Sequence, residues 1–173
     1  MSRMSNASPT LPVPDPLLPI TIRQAKPQDM ALILSSWKRS AHSHDSVLPS
    51  GSFFVLMNSL CETIIDDGTP VLLVATPPDM PSVILGWVCA ESNVHGSTLF
   101  WAYTKSSYRR SKVCKRLLDT ALAITETEGA GPAKIAAFSD AKGKLGRFAP
   151  TLAKYGFVPA TVSRALHMRS ERA

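Results

Sequence analysis

The feature that most constrains the fold is a row of three strand-like segments within residues 70–105, separated only by short turns. The segments are PVLLVAT (70–76), SVILGWVCAE (82–91) and STLFWAYTK (97–105), and TPPDMP and SNVHG supply the turns. Antiparallel strands can be joined by such short connections, whereas parallel strands need a crossover of a dozen or more residues. We therefore predict an antiparallel meander at the centre of the chain.

Helix and strand patterns on both sides of this meander extend the fold. We predict a strand at 20–25, helices over 26–43 and 52–66, the three central strands, a helix over 111–128, a strand at 134–139, a helix over 143–157 and a last strand at 160–170. The order is thus strand, two helices, three strands, helix, strand, helix and strand. Six strands and four helices in this order predict an α+β fold.

Length and composition set the class of protein. A chain of 173 residues with 45% hydrophobic residues can bury the core of one domain without disulfides or metal ions. Residues 1–19 are rich in serine and proline and lack periodicity, so we predict a flexible arm there and a single domain over 20–173. No apolar stretch reaches the roughly 18 residues of a membrane span, and the N-terminus lacks the apolar segment of a signal peptide. We expect a soluble, cytoplasmic monomer or homodimer without membrane contact.

The positive charge lies in the C-terminal half of the chain. The net charge is +6, with 5 basic and 7 acidic residues over 1–90 but 14 basic and 6 acidic residues over 91–173. The first half therefore carries −2 and the second half +8. An anionic ligand belongs on the second half, but charge alone does not decide between nucleic acid and a phosphorylated cofactor.

One short segment concentrates this charge at the start of a helix. Residues 106–123 are SSYRRSKVCKRLLDTALA, in which basic residues precede a helical pattern. The first N–H groups of a helix have no partner within the helix, and the helix dipole is positive at this end. Basic side chains at such an end are typical of a phosphate site.

This turn and the order of the elements resemble those of the GNAT family of acyl-CoA-dependent N-acyltransferases. The family's motif, Arg/Gln-x-x-Gly-x-Gly/Ala, follows the fourth strand, and its backbone amides bind the diphosphate of coenzyme A. The segment YTKSSYRRSKVCKRLL fits this frame, and the element order fits over about residues 20–168. The resemblance implies an α/β/α layered fold with a mixed, mainly antiparallel sheet, and acetyl-CoA as cosubstrate. It also implies the cofactor-binding residues, which are Tyr103, Thr104, Lys105, Arg109, Arg110, Ser111, Lys112, Val113, Cys114 and Lys115.

Two positions of this motif depart from the family's pattern. Lys112 stands where glycine is usual, and Cys114 stands where glycine or alanine is usual. Glycine lets a phosphate approach the backbone closely, so Lys112 either crowds the diphosphate or replaces the lost contact with its ammonium charge. Cys114 is small enough to be tolerated.

The resemblance also implies catalytic residues. The family's late helix carries a tyrosine that acts as general acid to the leaving thiolate, but in TLAKYGF that position is Leu152, and Tyr155 lies three places further on. An amine must lose a proton before it attacks, and a carboxylate is the usual base. Glu91 is the only acidic residue on the central strands. Glu91 is therefore our candidate base and Tyr155 our candidate acid, with a solvated strand end and packing at a helix end as the respective alternatives.

Other reactive side chains favour no metal chemistry. His42, His44 and Asp45 in WKRSAHSHDS offer few ligands on a polar stretch, so we expect no metal there. The resemblance implies that the acceptor binds around the first two helices, so we interpret this stretch as a loop that contacts the acceptor. The three cysteines lie far apart without zinc spacing, and we interpret them as reduced, buried thiols. We expect the three tryptophans to be core or groove-lining residues, namely Trp37, Trp87 and Trp101.

The leading hypothesis is an N-acetyltransferase that moves an acetyl group from acetyl-CoA to a primary amine by direct attack in a ternary complex. The acceptor is a protein, a peptide or a small molecule, and the chain is similar to GNAT-type proteins encoded by phages and bacteria. Two alternatives remain open. Mom-type phage enzymes use a GNAT-like fold to modify adenine in DNA, and the basic C-terminal half suits a polyanion. A non-catalytic GNAT scaffold that binds a host or regulatory protein would account for Leu152 and Lys112.

Overall fold

The computed structural model describes residues 18–42, 50–66, 70–129, 131–138 and 149–161, together with Ala165. Within these ranges the chain forms six β-strands and four α-helices. In chain order they are β1 (Thr21–Gln24), α1 (Met30–His42), α2 (Ser50–Asp66), β2 (Val71–Thr76), β3 (Gly86–Asn93), β4 (Gly96–Thr104), α3 (Val113–Thr127), β5 (Ala133–Phe138), α4 (Ala149–Lys154) and β6 (Val158–Thr161). Short 3₁₀ turns lie at Pro27–Asp29, before α1, and at Ser106–Tyr108, after β4.

The six strands form one sheet in chain order, from β1 to β6. The first four are antiparallel neighbours, as the short turns between the central segments predict. β5 lies parallel to β4, and β6 lies parallel to β5, because each follows a segment with a helix that returns the chain across the sheet. The sheet is therefore mixed and mainly antiparallel.

A bulge interrupts the pairing of β3 with β4. Cys89 pairs with Trp101 and Ala90 pairs with Leu99, so that Phe100 is an additional residue between the two pairs. The bulge turns the side chains of Phe100 and Trp101 to the same face of the sheet, where both join one hydrophobic cluster. Beyond Leu99, β4 is therefore shifted by one residue relative to β3.

The described pairing of β4 with β5 covers only the first part of β4. In the described part of the chain, the pairs run from Gly96 with Ala133 to Leu99 with Ala136, although β4 continues to Thr104. The close pairing at the start needs a glycine, because a Cβ at Gly96 would lie 1.8 Å from the carbonyl oxygen of Ala133. In the described part of the chain, the ladder between the two parallel strands thus ends two residues before β5 does.

Two hydrophobic clusters, one on each face of the sheet, join the layers. The cluster under α3 includes the residues that α3 buries at helical spacing, and these are Val113, Leu117, Leu118, Ala121 and Leu122. The cluster under α1 and α2 is built around aromatic and aliphatic residues of both helices, which include Ile33, Trp37, Phe53, Met57 and Ile64. This packing confirms the predicted α/β/α layers and the α+β class.

The predicted order of the elements is also confirmed, although several boundaries differ. The strand predicted at 82–91 is β3 and begins only at Gly86, because the residues before it form turns. The helix predicted over 111–128 is α3 and begins at Val113, because residues 109–112 complete the turn after β4. Among the described helices, none is long and apolar enough to cross a membrane.

Some predictions fall partly outside the described residues. Of the helix predicted over 143–157, the structure describes α4 and the residues that follow it. Of the last strand, predicted at 160–170, β6 covers the beginning. Most of the predicted N-terminal arm also lies outside, but Leu18 packs against the cluster under α3 and accepts a hydrogen bond from Arg116. Contact with the core therefore begins by residue 18.

Candidate active site

The connection between β4 and α3 brings the start of a helix to the end of a central strand. β4 ends at Thr104, a 3₁₀ turn follows, and α3 begins at Val113. The Lys105 N–H donates to the Leu85 carbonyl oxygen at 2.9 Å, which fixes the turn against the segment before β3. Lys112, the N-cap residue, forms no side-chain capping hydrogen bond. The N-cap side chain therefore leaves the first N–H groups of α3 uncapped, an arrangement that suits an anion.

Four basic side chains along this turn have no acidic partner among the described residues. All four are exposed, and they are Lys105, Arg109, Arg110 and Lys112. Lys115 differs, because its ammonium lies 2.8 Å from Asp119 Oδ2. Arg116 is also engaged, since its guanidinium donates to the carbonyl oxygens of Leu18 and Ile20. The turn thus offers four uncompensated positive charges.

Lys112 has an unusual backbone conformation. Its φ of 58° and ψ of 13° lie in the left-handed region, and it is the only non-glycine residue with positive φ in the described part of the chain. This region costs an L-residue about 1–2 kcal/mol, which glycine avoids. At position 112, where the family motif has glycine, the backbone therefore adopts a conformation that glycine favours.

β3 approaches this turn closely at Gly86. A Cβ added there would lie 2.7 Å from the Tyr103 carbonyl oxygen and 3.1 Å from Val113 Cγ1. Any larger residue would therefore displace β4 or the start of α3. The motif comparison misses Gly86, but a lone glycine within a strand pattern is the sequence signal for such a close approach.

Thr104 and Cys114 lie together beneath the first turn of α3. Thr104 is 4% exposed, and its Oγ1 meets no hydrogen-bond partner among the described residues. Burial raises the pKa of the Cys114 thiol to about 11, and the nearby Thr104 hydroxyl opposes this rise. We therefore interpret the two groups as close neighbours without a hydrogen bond of standard geometry. A thiol with this pKa is protonated at neutral pH, so Cys114 is a poor nucleophile.

Tyr155 follows α4 and contacts α3 through its hydroxyl. The hydroxyl donates to Asp119 Oδ1 at 2.6 Å, and Asp119 Oδ2 accepts from Lys115 at 2.8 Å. Burial, and then the bond to Asp119, raise the pKa of Tyr155 above its usual value. Partial burial acts to raise the pKa of Asp119, but the hydrogen bonds from Lys115 and Tyr155 outweigh it and lower that pKa. The Tyr155 hydroxyl keeps its proton and already donates a hydrogen bond to the Asp119 carboxylate. Its role as general acid stays a prediction.

Leu152 occupies the position of the family's tyrosine. It is 2% exposed and packs in the cluster under α3, together with Phe157. Leu152 is therefore a core residue that joins α4 to α3. The motif comparison does not indicate Asp119. Its carboxylate accepts the hydrogen bond from Tyr155 and so holds Tyr155 against α3.

Glu91 lies inside the sheet, so its interpretation as a solvated strand end is wrong. It is 1% exposed, and its Cα pairs with Thr98 of β4. Successive side chains of a strand point to opposite faces. Because Trp87 and Cys89 pack under α1 and α2, Glu91 also faces those helices. Thr98 precedes Leu99, the last residue in the described pairing with β5, so Glu91 lies beside the end of that ladder.

The tryptophans pack on this same face, which confirms them as core residues. The Trp37 ring lies 5.3 Å from Trp87 and 6.3 Å from Trp101 between centroids. The indole N–H groups of Trp87 and Trp101 donate to two serine hydroxyls of α1 at 2.9 and 3.1 Å, which fixes the helix on the sheet. Tyr103 stacks on Trp87 and is only partly buried, so it forms the outer end of the aromatic group.

The histidine-rich segment lies largely outside the described residues. This holds for His44 and Asp45, and of His42 only the backbone is described. In the part of the chain that the structure covers, no group of three or more histidine, cysteine, aspartate or glutamate side chains could hold a metal ion. Cys61 and Cys89 are buried and Cys114 is half-buried, and none of these three cysteines forms a disulfide.

Comparison with known proteins gives a match in structure. No protein-family model matches the sequence, and no curated protein matches it. A Pyrococcus furiosus protein described as an acetyl transferase candidate is 14% identical and superposes with a TM-score of 0.64 over 83% of this chain and 95% of that chain. A GNAT family acetyltransferase from Brucella melitensis, solved with acetyl-CoA, is 16% identical with a TM-score of 0.52 over 78% and 82% of the two chains.

The chain adopts the GNAT fold. A third structure agrees, a predicted acetyltransferase from Clostridium acetobutylicum solved with acetyl-CoA, which is 17% identical with a TM-score of 0.59 over 82% of this chain and 91% of that chain. Within the GNAT fold of this chain, the basic turn follows the fourth strand, as the sequence motif requires. Glu91 and Tyr155 lie on opposite faces of the sheet.

Proposed function

We propose that the protein is an N-acetyltransferase that uses acetyl-CoA to acetylate a primary amine. The observation that carries the proposal is the junction of β4 with α3. There the N-cap residue of α3 forms no side-chain capping bond, and four cations lack an acidic partner in the described chain. They follow β4, the strand whose described ladder with β5 ends at Leu99. Anions bind at helix starts of this kind. The structures with acetyl-CoA among the GNAT-fold neighbours support the choice of ligand.

The basic turn would bind the diphosphate of the cofactor. In this proposal the N–H groups of Val113, Cys114 and Lys115 donate to the phosphate oxygens, and the Lys112 ammonium lies beside them. Ser111 adds a hydroxyl, while the backbone of Tyr103 and Thr104 contacts the pantetheine arm. The buried Thr104 hydroxyl supports this assignment, because it has no hydrogen-bond partner among the described residues and lies under the first turn of α3.

The reaction would take place where β4 leaves β5. A backbone N–H of β4 polarises the thioester carbonyl, and the neutral amine attacks the carbonyl carbon. Glu91 accepts the proton that the amine loses, directly or through water. The C–S bond then breaks, which gives the acetylated amine and the thiolate of coenzyme A. The burial of Glu91 beside the opening supports its role as base, and its orientation favours an acceptor on the face of α1 and α2.

Calorimetric titration with acetyl-CoA and CoA tests the binding step. We expect micromolar binding to the wild type and weaker binding to an Arg109→Ala/Arg110→Ala variant. A matched control, Arg39→Ala/Lys154→Ala, removes the same charge from exposed positions outside the turn and should bind as the wild type does. If the wild type binds neither ligand, the proposal is wrong.

Product formation tests the chemical step. Acetylation of a panel of peptides, protein lysines and small amines can be followed by mass spectrometry. Loss of a general base typically slows the reaction by about 10²–10⁴-fold. We therefore expect Glu91→Gln to lower kcat by about that factor with little change in acetyl-CoA affinity. Full activity of this variant would exclude Glu91 as the base.

A further inference from the structure

A large and a small side chain follow the end of the ladder between β4 and β5. In the described part of the chain, the last pair of this ladder is Leu99 with Ala136. The next residues of the two strands are Phe100 and Ala137, and both pack in the cluster under α1 and α2. The phenyl ring of Phe100 therefore occupies most of the space on this face, next to the place that the proposed function gives to the thioester.

Phe100 also lies on the same face as Glu91, the candidate base. Glu91 pairs with Thr98 across the two strands, so the side chains of this pair point to one face. Phe100 follows Thr98 by two residues on β4 and therefore points to that face as well. An acyl group whose attacking amine loses its proton to Glu91 has to lie within reach of that carboxylate. It would then lie against the Phe100 ring.

The Phe100 ring has little room to move. It is 2% exposed, and the bulge places Trp101 beside it on the same face. Trp101 is itself held in place, because its indole N–H donates to the Ser40 hydroxyl at 3.1 Å and its ring stacks on Trp37 at 6.3 Å between centroids. A close-packed interior accepts additional methylene groups only if side chains shift. An acyl chain much longer than acetyl would therefore have to displace the phenyl ring.

We propose that Phe100 limits the donor to short acyl groups, so that the protein uses acetyl-CoA and discriminates against butyryl-CoA and longer thioesters. The inference rests on the proposed function, because it takes the end of the ladder between β4 and β5 as the place of the thioester. Phe100 is then a specificity-determining residue that contacts the acyl chain and takes no part in proton transfer. The small side chain of Ala137 leaves the remaining space for the acetyl methyl group.

Calorimetric titration with CoA and with acetyl-, propionyl-, butyryl- and hexanoyl-CoA tests the inference and needs no amine acceptor. One methylene group more or less in a closely fitting apolar site changes discrimination by about 10–200-fold. We therefore expect the wild type to bind butyryl-CoA at least about tenfold more weakly than acetyl-CoA. Phe100→Ala should bind these two thioesters with nearly equal affinity, and the ratio for Phe100→Leu should lie between those of the wild type and Phe100→Ala.

Two further variants separate acyl specificity from a general loss of packing. Phe157→Leu is the matched control for Phe100→Leu, because Phe157 is also buried but packs under α3 on the other face of the sheet. It should keep the wild-type ratio of affinities. Ala137→Val adds two methyl groups next to Phe100 and should weaken propionyl-CoA relative to acetyl-CoA. Circular dichroism identifies the variants that fold, and if Phe100→Ala does not, Phe100→Leu and Ala137→Val decide.

The outcomes separate the inference from the proposed function. Failure of the wild type to bind CoA or any of the thioesters would overturn both. Equal binding of all four thioesters by the wild type would leave the proposed function intact and exclude Phe100 as the limit on chain length. A wild-type ratio that persists in Phe100→Leu, or that changes to the same extent in Phe157→Leu, would also overturn the inference.

Discussion

Lys112→Gly should make the protein more stable and at the same time weaken its binding of the cofactor. Lys112 has a left-handed backbone, and its exposed side chain has no partner among the described residues. Glycine removes a conformational cost of about 1–2 kcal/mol. It also adds freedom to the unfolded chain, which costs about 0.4–1 kcal/mol. The net gain should be about 0.5–1 kcal/mol, or about 1–4 °C in Tm for a chain of this length.

Lys112→Ala is the matched control, because it removes the same charge but keeps a Cβ in the left-handed region. Urea unfolding should therefore show Lys112→Gly as more stable than Lys112→Ala, which should stay close to the wild type. Both variants should bind acetyl-CoA about fivefold more weakly, since each loses one exposed charge near the phosphates. Equal stability of the two variants would refute the argument from backbone strain. Tighter cofactor binding by both would show that Lys112 crowds the diphosphate.

Three further results are expected. Asp29 accepts hydrogen bonds from both Nη atoms of Arg23, and these bonds lower the pKa of Asp29. The pair therefore stabilises the fold at neutral pH, and this stabilisation is lost as the pH falls through the lowered pKa. Asp29→Asn should cost about 3 kcal/mol in urea unfolding at pH 7 and progressively less as the pH falls below 3.8, and a cost that does not change with pH would refute this. Tyr155→Phe should keep kcat within about twofold, since the hydroxyl already donates to Asp119, whereas a loss of about 10²-fold would restore Tyr155 as the acid. Cys114 is the one cysteine that is not fully buried, so a maleimide should alkylate it before Cys61 and Cys89. Acetyl-CoA bound at the start of α3 should slow this alkylation, as measured by mass spectrometry, and an unchanged rate would place the ligand elsewhere.

The architecture could be predicted because its signals are local. Short turns determine the antiparallel meander, and the apolar spacing of α3 determines which of its faces is buried. The basic turn was predictable for the same reason, since all of its residues are adjacent in sequence. The left-handed backbone of Lys112 was not, because only the glycine of a related motif indicates that conformation.

The contacts of the candidate catalytic residues could not be predicted, because they join distant parts of the chain. The burial of Glu91 depends on helices that precede it by 25 residues or more, and its position near the end of a strand segment favoured solvent exposure. The bond between Tyr155 and Asp119 joins residues 36 positions apart. No spacing rule indicates such a pair, and it is this pair that changes the expected chemistry of Tyr155.

Leu99 connects the two halves of the proposed site. It is the last residue of β4 in register with β5, and the bulge toward β3 begins after it. From Leu99 to Thr104, five residues at about 3.3 Å each carry the strand roughly 17 Å, from the opening beside Glu91 to the basic turn. An extended pantetheine arm spans a comparable length, so a diphosphate bound at α3 would bring its thioester to the opening. The spacing of the bulge, the end of the ladder and the basic turn therefore suits the proposed acyl-CoA site, and a cofactor with a shortened arm should bind at the turn without reacting.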